Sequence, residues 1–138
     1  MTMTSPNATG VPGYSETMPC EPASASRARR LVRAALNTWA LTHMIDDGTL
    51  IISELVGNAA RHSGCRLLRV SVRLPDRDRL RLAVTDKCTQ APTAQEPCCD
   101  DESGRGLVLV EAMADRWGTE HRTWGKIVWA ELRAKGTS

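Results

Sequence analysis

Three groups of residues in this sequence have types and spacings suited to chemistry. The first lies in Ser53-Glu54-Leu55-Val56-Gly57-Asn58-Ala59-Ala60-Arg61-His62-Ser63-Gly64, where Glu54, Asn58 and His62 recur every fourth residue with Arg61 beside them. On a helix this spacing puts a carboxylate, an amide and an imidazole on one face, with a guanidinium at its border. An amide oxygen is a hard ligand for Mg²⁺, which otherwise keeps waters and phosphate oxygens. A carboxylate one turn away can hold a metal-bound water or take a proton from an incoming hydroxyl. Arg61 and His62 can meet phosphate oxygens. Helix stability does not account for the choice, because Asn is a poor interior helix former and Gly57 costs about 1 kcal/mol relative to Ala. The same spacing also suits an ordinary solvated helix face, turned away from the core.

The second group is a single residue. Asp86 ends the apolar run at 80–85 and directly precedes a long loop. A carboxylate at such a strand end can accept a hydrogen bond from an adenine amino group while the ring packs on apolar neighbours. Acidic residues also end strands for no special reason. The third group is Ser103-Gly104-Arg105-Gly106, which opens straight into Leu107-Val108-Leu109-Val110-Glu111. Two glycines let the backbone approach a ligand closely, and a helix N-terminus offers unpaired N–H groups to an anion. The run is neither a Walker loop nor a dinucleotide fingerprint, and a linker before a helix has the same look.

The elements that must position these groups are legible in the hydrophobic pattern. From Ser24 onward, Ala28, Leu31, Val32, Ala35, Leu36 and Trp39 recur at helical spacing, with Ser24 or Ser26 as the expected cap. A second helix is expected from Asp46 or Asp47, either of which can cap it, to Ser63, with Gly64 as the stop and Ile52, Leu55, Val56 and Ala59 as its buried face. Residues 67–74 and 79–86 alternate as half-buried strands around a turn at 75–78. Residues 87–106 are a loop of a length that is usually functional. A short helix at 107–115 and strands at 117–122 and 127–133 complete the order. That order predicts an α+β fold with a mostly antiparallel sheet and helices on one face. Residues 1–23, rich in Pro, Thr, Ser and Gly and without hydrophobic period, read as a disordered tail, leaving 24–138 as the domain.

Composition narrows the function classes. A chain of 138 residues with 41% hydrophobic residues suits one domain with one core. Its net charge of +2 does not suggest a nucleic-acid binder, and no apolar run is long enough to span a membrane. The first residues lack the basic and apolar regions of a secretory signal, so a cytoplasmic location is expected. Five cysteines at irregular spacing suggest reduced thiols rather than a disulfide framework, and Cys88, Cys98 and Cys99 do not form a zinc set. Arg27, Arg29, Arg30 and Arg33 form a basic face on the first helix, either solvated or able to dock an acidic partner.

At this point the chain resembles a known family. The run 54–64 looks like the N-box of the histidine-kinase-like ATPases, especially the small stand-alone proteins related to anti-sigma-factor serine/threonine kinases. Gly104-Arg105-Gly106-Leu107 with Val110-Glu111-Ala112 is similar to their second glycine box, and Gly125-Lys126 with Val128-Trp129-Ala130-Glu131-Leu132 to their terminal strand. The resemblance implies a two-layer α/β sandwich of Bergerat type that binds ATP and Mg²⁺. By position, Asn58 would hold Mg²⁺, Glu54 would be the general base and Asp86 would meet the adenine amino group. Arg61 and His62, with Gly104, Arg105, Gly106 and Leu107, would lie along the phosphates. The implied partners are a sigma factor and a STAS-type antagonist phosphorylated on serine, and a homodimer is compatible with the resemblance. Two departures are visible. Asp86 is followed by Lys87-Cys88-Thr89-Gln90-Ala91 without the family's usual glycines, and Ile127 stands where Thr is common. Two functions follow: a protein kinase, or a non-catalytic module that senses nucleotide and sequesters a regulatory protein.

Overall fold

The structure, a computed structural model, describes residues 13–62, 66–76, 78–86 and 107–133. Its elements are β1 (Gly13–Pro19), α1 (Ser24–Thr38), a 3₁₀ turn (Thr42–Met44), α2 (Ile45–His62), β2 (Leu67–Asp76), β3 (Arg79–Asp86), α3 (Val108–Met113), β4 (Arg116–Arg122) and β5 (Gly125–Arg133). The strands form one sheet in the order β1-β2-β3-β5-β4, each neighbouring pair antiparallel. α1 and α2 pack on each other and on the sheet, and α3 packs on α2 and β4. This is the expected two-layer α+β sandwich with helices on one face.

The core lies between the layers. Leu31, Val32, Ala35 and Leu36 of α1 and Ile52, Leu55, Val56 and Ala59 of α2 are buried, as their spacing predicts. From the sheet, Leu68, Val70 and Val72 of β2 and Leu80, Leu82 and Val84 of β3 meet them. Strand alternation leaves the intervening residues on the opposite, helix-free face.

The first correction concerns residues 13–19, which the sequence reading assigns to a disordered tail. They form β1, paired with β2 from Gly13↔Arg73 to Pro19↔Leu67. The inward positions are Tyr14, Glu16 and Met18, so a carboxylate interrupts the apolar alternation and hides the strand. Glu16 is buried and its charge is taken by Arg27 of α1. Met18 enters the core, and Tyr14 stacks on Trp39 with ring centroids 5.7 Å apart. The basic face of α1 is thus partly used inside the domain, because Arg29 also donates to Ser53 Oγ at 3.0 Å.

Helix ends differ from expectation in instructive ways. Ala23 occupies the N-cap of α1 without a side-chain cap, and the Ser24 hydroxyl donates to the Pro19 carbonyl at 2.6 Å. The hydroxyl therefore ties helix to strand instead of capping. Asp46 and Asp47 lie in the first turn of α2, not at its cap, where carboxylates still favour the helix dipole. The C-terminus of α1 closes in a Schellman arrangement, with Leu41 N–H donating to Leu36 O at 2.8 Å. That closure puts Ala40 at φ 58, a left-handed conformation that strains a Cβ. Ala40→Gly is expected to stabilise the domain by about 0.5–1 kcal/mol, read as a higher urea midpoint at unchanged slope.

Candidate functional site

The topology brings two of the sequence-predicted residues, Asn58 and Asp86, to one end of the sandwich. α2 runs down to His62 and β2 starts at Leu67, so the end of α2 and the start of β2 lie together. Leu68 pairs with Asp86 at the end of β3, and Asp86 pairs with Lys126 at the start of β5. Cys20, just after β1, donates its N–H to Arg66 O and contacts Ala59 O through Sγ at 3.6 Å. Asn58, one turn before the end of α2, and Asp86, at the end of β3, therefore belong to the same end of two elements that pack on each other.

Depth is where the structure corrects the sequence reading. The polar stripe of α2 is expected to face away from the core, yet Asn58 is only 2% exposed. It lies on the flank of the Leu55–Ala59 stripe, and α3 packs on α2 as well, so the helix has two covered sides rather than one. Glu54 is half-buried and Arg61 exposed, while His62 is the last residue of α2. The Asn58 Oδ1 atom is buried and has no hydrogen-bond partner. An orphaned acceptor of this kind costs about 1–3 kcal/mol in lost hydration. Beside it, a Cβ built on Gly57 would meet only the Arg61 guanidinium, at 3.7 Å, among the described residues. Close approach by another molecule is open at that turn.

Asp86 is also buried, at 3% exposure, on the sheet face shared by Leu82 and Val84. It thus points into the layer between helices and sheet. Lys126, half-buried and directly across from it, was missed by sequence reasoning. The signal was available only through the β4–β5 hairpin register, in which Arg122 pairs with Gly125 and Lys126 becomes an inward position. The same register relocates Ile127. Its side chain lines a groove on the helix-free face with Thr85 and Ala83, opposite to Asp86. Ile127, which stands where Thr is common in the family it resembles, thus lies on the sheet face opposite Asp86. Leu107 is buried and immediately precedes α3. Gly104, Arg105 and Gly106 lie outside the described residues, as do Cys65, Cys88, Cys98 and Cys99.

These groups fit a divalent cation that arrives with its own ligands. No cluster of three His, Cys, Asp or Glu side chains able to hold a metal is present among the described residues. A single buried amide oxygen with a carboxylate one turn away instead suits Mg²⁺, which fills most of its octahedron with water and phosphate oxygens. An inward carboxylate on the facing strand is suited to an amino donor of a base. The model of the histidine kinase-like ATPase domain matches residues 18–132, nearly the whole of the described chain. The chain belongs to this family. Membership of this family implies that the domain binds ATP. No curated protein matches this ATPase domain closely enough to count as a relative. Among its described residues no helix is long and apolar enough to cross a membrane.

Proposed function

We propose that this ATPase domain is a regulatory serine/threonine protein kinase of the anti-sigma-factor type. In this reading it binds ATP with Mg²⁺, holds a sigma factor and phosphorylates a STAS-type antagonist. The observation that carries it is the buried, unpartnered Oδ1 of Asn58, one helical turn from the half-buried carboxylate of Glu54. Asn58 would hold the cation, whose contribution is to neutralise charge on the phosphates. Asp86 would accept from the adenine amino group, and Arg61, His62 and residues 104–107 would face the phosphates.

Glu54 would take the proton of an incoming serine or threonine hydroxyl. The hydroxyl oxygen bonds to the γ-phosphorus, the bond from that phosphorus to the bridging oxygen breaks, and ADP leaves. Glu54→Ala is expected to retain ATP binding and to lose phosphoryl transfer to an antagonist protein by about 10²–10⁴-fold, measured with labelled ATP. Wild-type transfer that survives the substitution would remove Glu54 from the role of base.

The absence of glycines in 87–91 supports a second reading, a non-catalytic module that senses nucleotide and sequesters a regulatory protein. Tight ATP binding with no transfer to any STAS-type protein would decide for it.

A further inference from the structure

The helix-free face of the sheet carries an arrangement that ATP binding does not use. Strand register sets Arg73 directly across from Arg81, and Arg81 across from Glu131. Like charges directly opposite on neighbouring strands destabilise a sheet, so stability alone does not explain Arg73 at this position. Glu131 receives Arg79, Arg81 and Arg116 together, and Glu120 faces Arg81 and Arg122, so arginines outnumber the carboxylates in this cluster. Arg69 and Arg73 on β2 are exposed and have no carboxylate partner among the described residues. The whole chain carries a net charge of only +2, so the positive charge of this face is offset by acidic residues elsewhere in the chain.

The surface has relief as well as charge. A groove of about 110 Å³ is lined by Ser71, Arg73, Arg81, Ala83, Thr85 and Ile127. Its floor is small or apolar, with Ser71 and Ala83 almost fully covered. Beside it Trp129 lies against Gly118, where a Cβ would come within 2.9 Å of the indole. The Arg81 guanidinium stacks over that indole at 4.5 Å from the ring centroid and donates to Glu131 at 3.0 Å. Arg81 is thereby held in place before any partner arrives, which lowers the ordering cost of binding.

We propose that this face, over β2 and β3, is a docking surface for an acidic segment of a partner protein, which sets a carboxylate between Arg73 and Arg81. Guanidiniums match carboxylates through their planar fork of donors, and the covered floor accepts a neighbouring apolar side chain. Nucleic acid fits less well, because Glu120 and Glu131 interrupt the positive field toward β4 and β5 and would repel a continuous polyanion. A second copy fits less well too, because two such faces would set arginines against arginines.

The test is fluorescence anisotropy on the full chain with a labelled, glutamate-rich peptide carrying one central leucine. The same peptide with glutamine for glutamate and a labelled DNA duplex serve as competing arms. Wild type is expected to bind the acidic peptide in a salt-sensitive manner and to ignore the glutamine version. The double variant R69Q/R73Q is expected to bind at least about tenfold more weakly. Its melting temperature is expected to be unchanged or higher, since Arg73 is removed from opposite Arg81. ATP affinity should be unaffected, because both positions are on the sheet face opposite Asp86. The proposal is overturned if wild type does not bind the acidic peptide, if the glutamine peptide binds equally, or if the double variant binds like wild type. Tighter binding of the DNA duplex would assign the face to nucleic acid. Self-association of wild type that the double variant abolishes would assign it to a second copy.

Discussion

Asn58→Ala is expected to weaken Mg-ATP binding by at least about 100-fold while leaving the melting temperature unchanged or raised. The two halves of this expectation have one cause. In the unliganded chain Oδ1 of Asn58 is buried without a partner, so it forfeits hydration and gains nothing in return. Alanine removes that penalty and is also the better helix former, by a few tenths of a kcal/mol or more at an interior position. The small loss of packing works the other way and is of similar size. With Mg-ATP present the oxygen becomes a ligand, and its removal is felt in full. Calorimetric titration with ATP, with and without Mg²⁺, combined with a thermal melt of each protein, measures both halves. Retained binding together with a lower melting temperature would mean that Asn58 is a packing residue.

The second large effect concerns stability and is expected at Glu131. Its side chain is 8% exposed and meets Arg116 at 2.7 Å, Arg81 at 3.0 Å and Arg79 at 3.4 Å. Removing a buried charge leaves its partners uncompensated, at about 3–5 kcal/mol when they too are buried. Here the arginines reach water, so Glu131→Gln is expected to cost about 2 kcal/mol at neutral pH. Burial acts to raise the Glu131 pKa, but hydrogen bonds and charge from Arg116 and Arg81 outweigh it and hold the carboxyl below its usual value of 4.5. A pKa lowered in the folded state means that the unfolded chain binds the proton more readily. The contribution of Glu131 is therefore complete above about pH 4.5 and fades as pH falls through the lower folded value. Urea unfolding of wild type and Glu131→Gln should give a gap that is constant near neutrality and closes in acid. A gap that widens in acid would contradict the assignment.

Particular residues show how far sequence reasoning reaches. The stripes of α1 and α2 were legible because Leu, Val, Ile and Ala recur at the helical period, and every expected core position from Ala28 to Leu36 and from Ile52 to Ala59 is buried. β2 and β3 were legible through strict alternation. β1 was not, because Glu16 occupies an inward position and is paired there with Arg27, eleven residues later on a different element. The caps were misread for a related reason. Ser24 has the right residue type for an N-cap, but it is the first residue inside α1, after Ala23 at the cap, and its hydroxyl donates to the strand carbonyl of Pro19.

The candidate site divides in the same way. The spacing of Glu54, Asn58 and Arg61 determined that they share one side of a helix, because the α-helical pitch is a local property of the backbone. The amino-acid pattern likewise determined the sandwich, since alternating strands and striped helices have few ways to bury their apolar faces together. Only the tertiary structure decided that Asn58 is enclosed and its oxygen unpartnered, that Lys126 sits across from Asp86, that Ile127 faces the other way, and that arginines collect on the helix-free face. Each of these depends on which element covers which, or on strand register across the sheet. Such relations join residues far apart in the chain, and local periodicity carries no record of them.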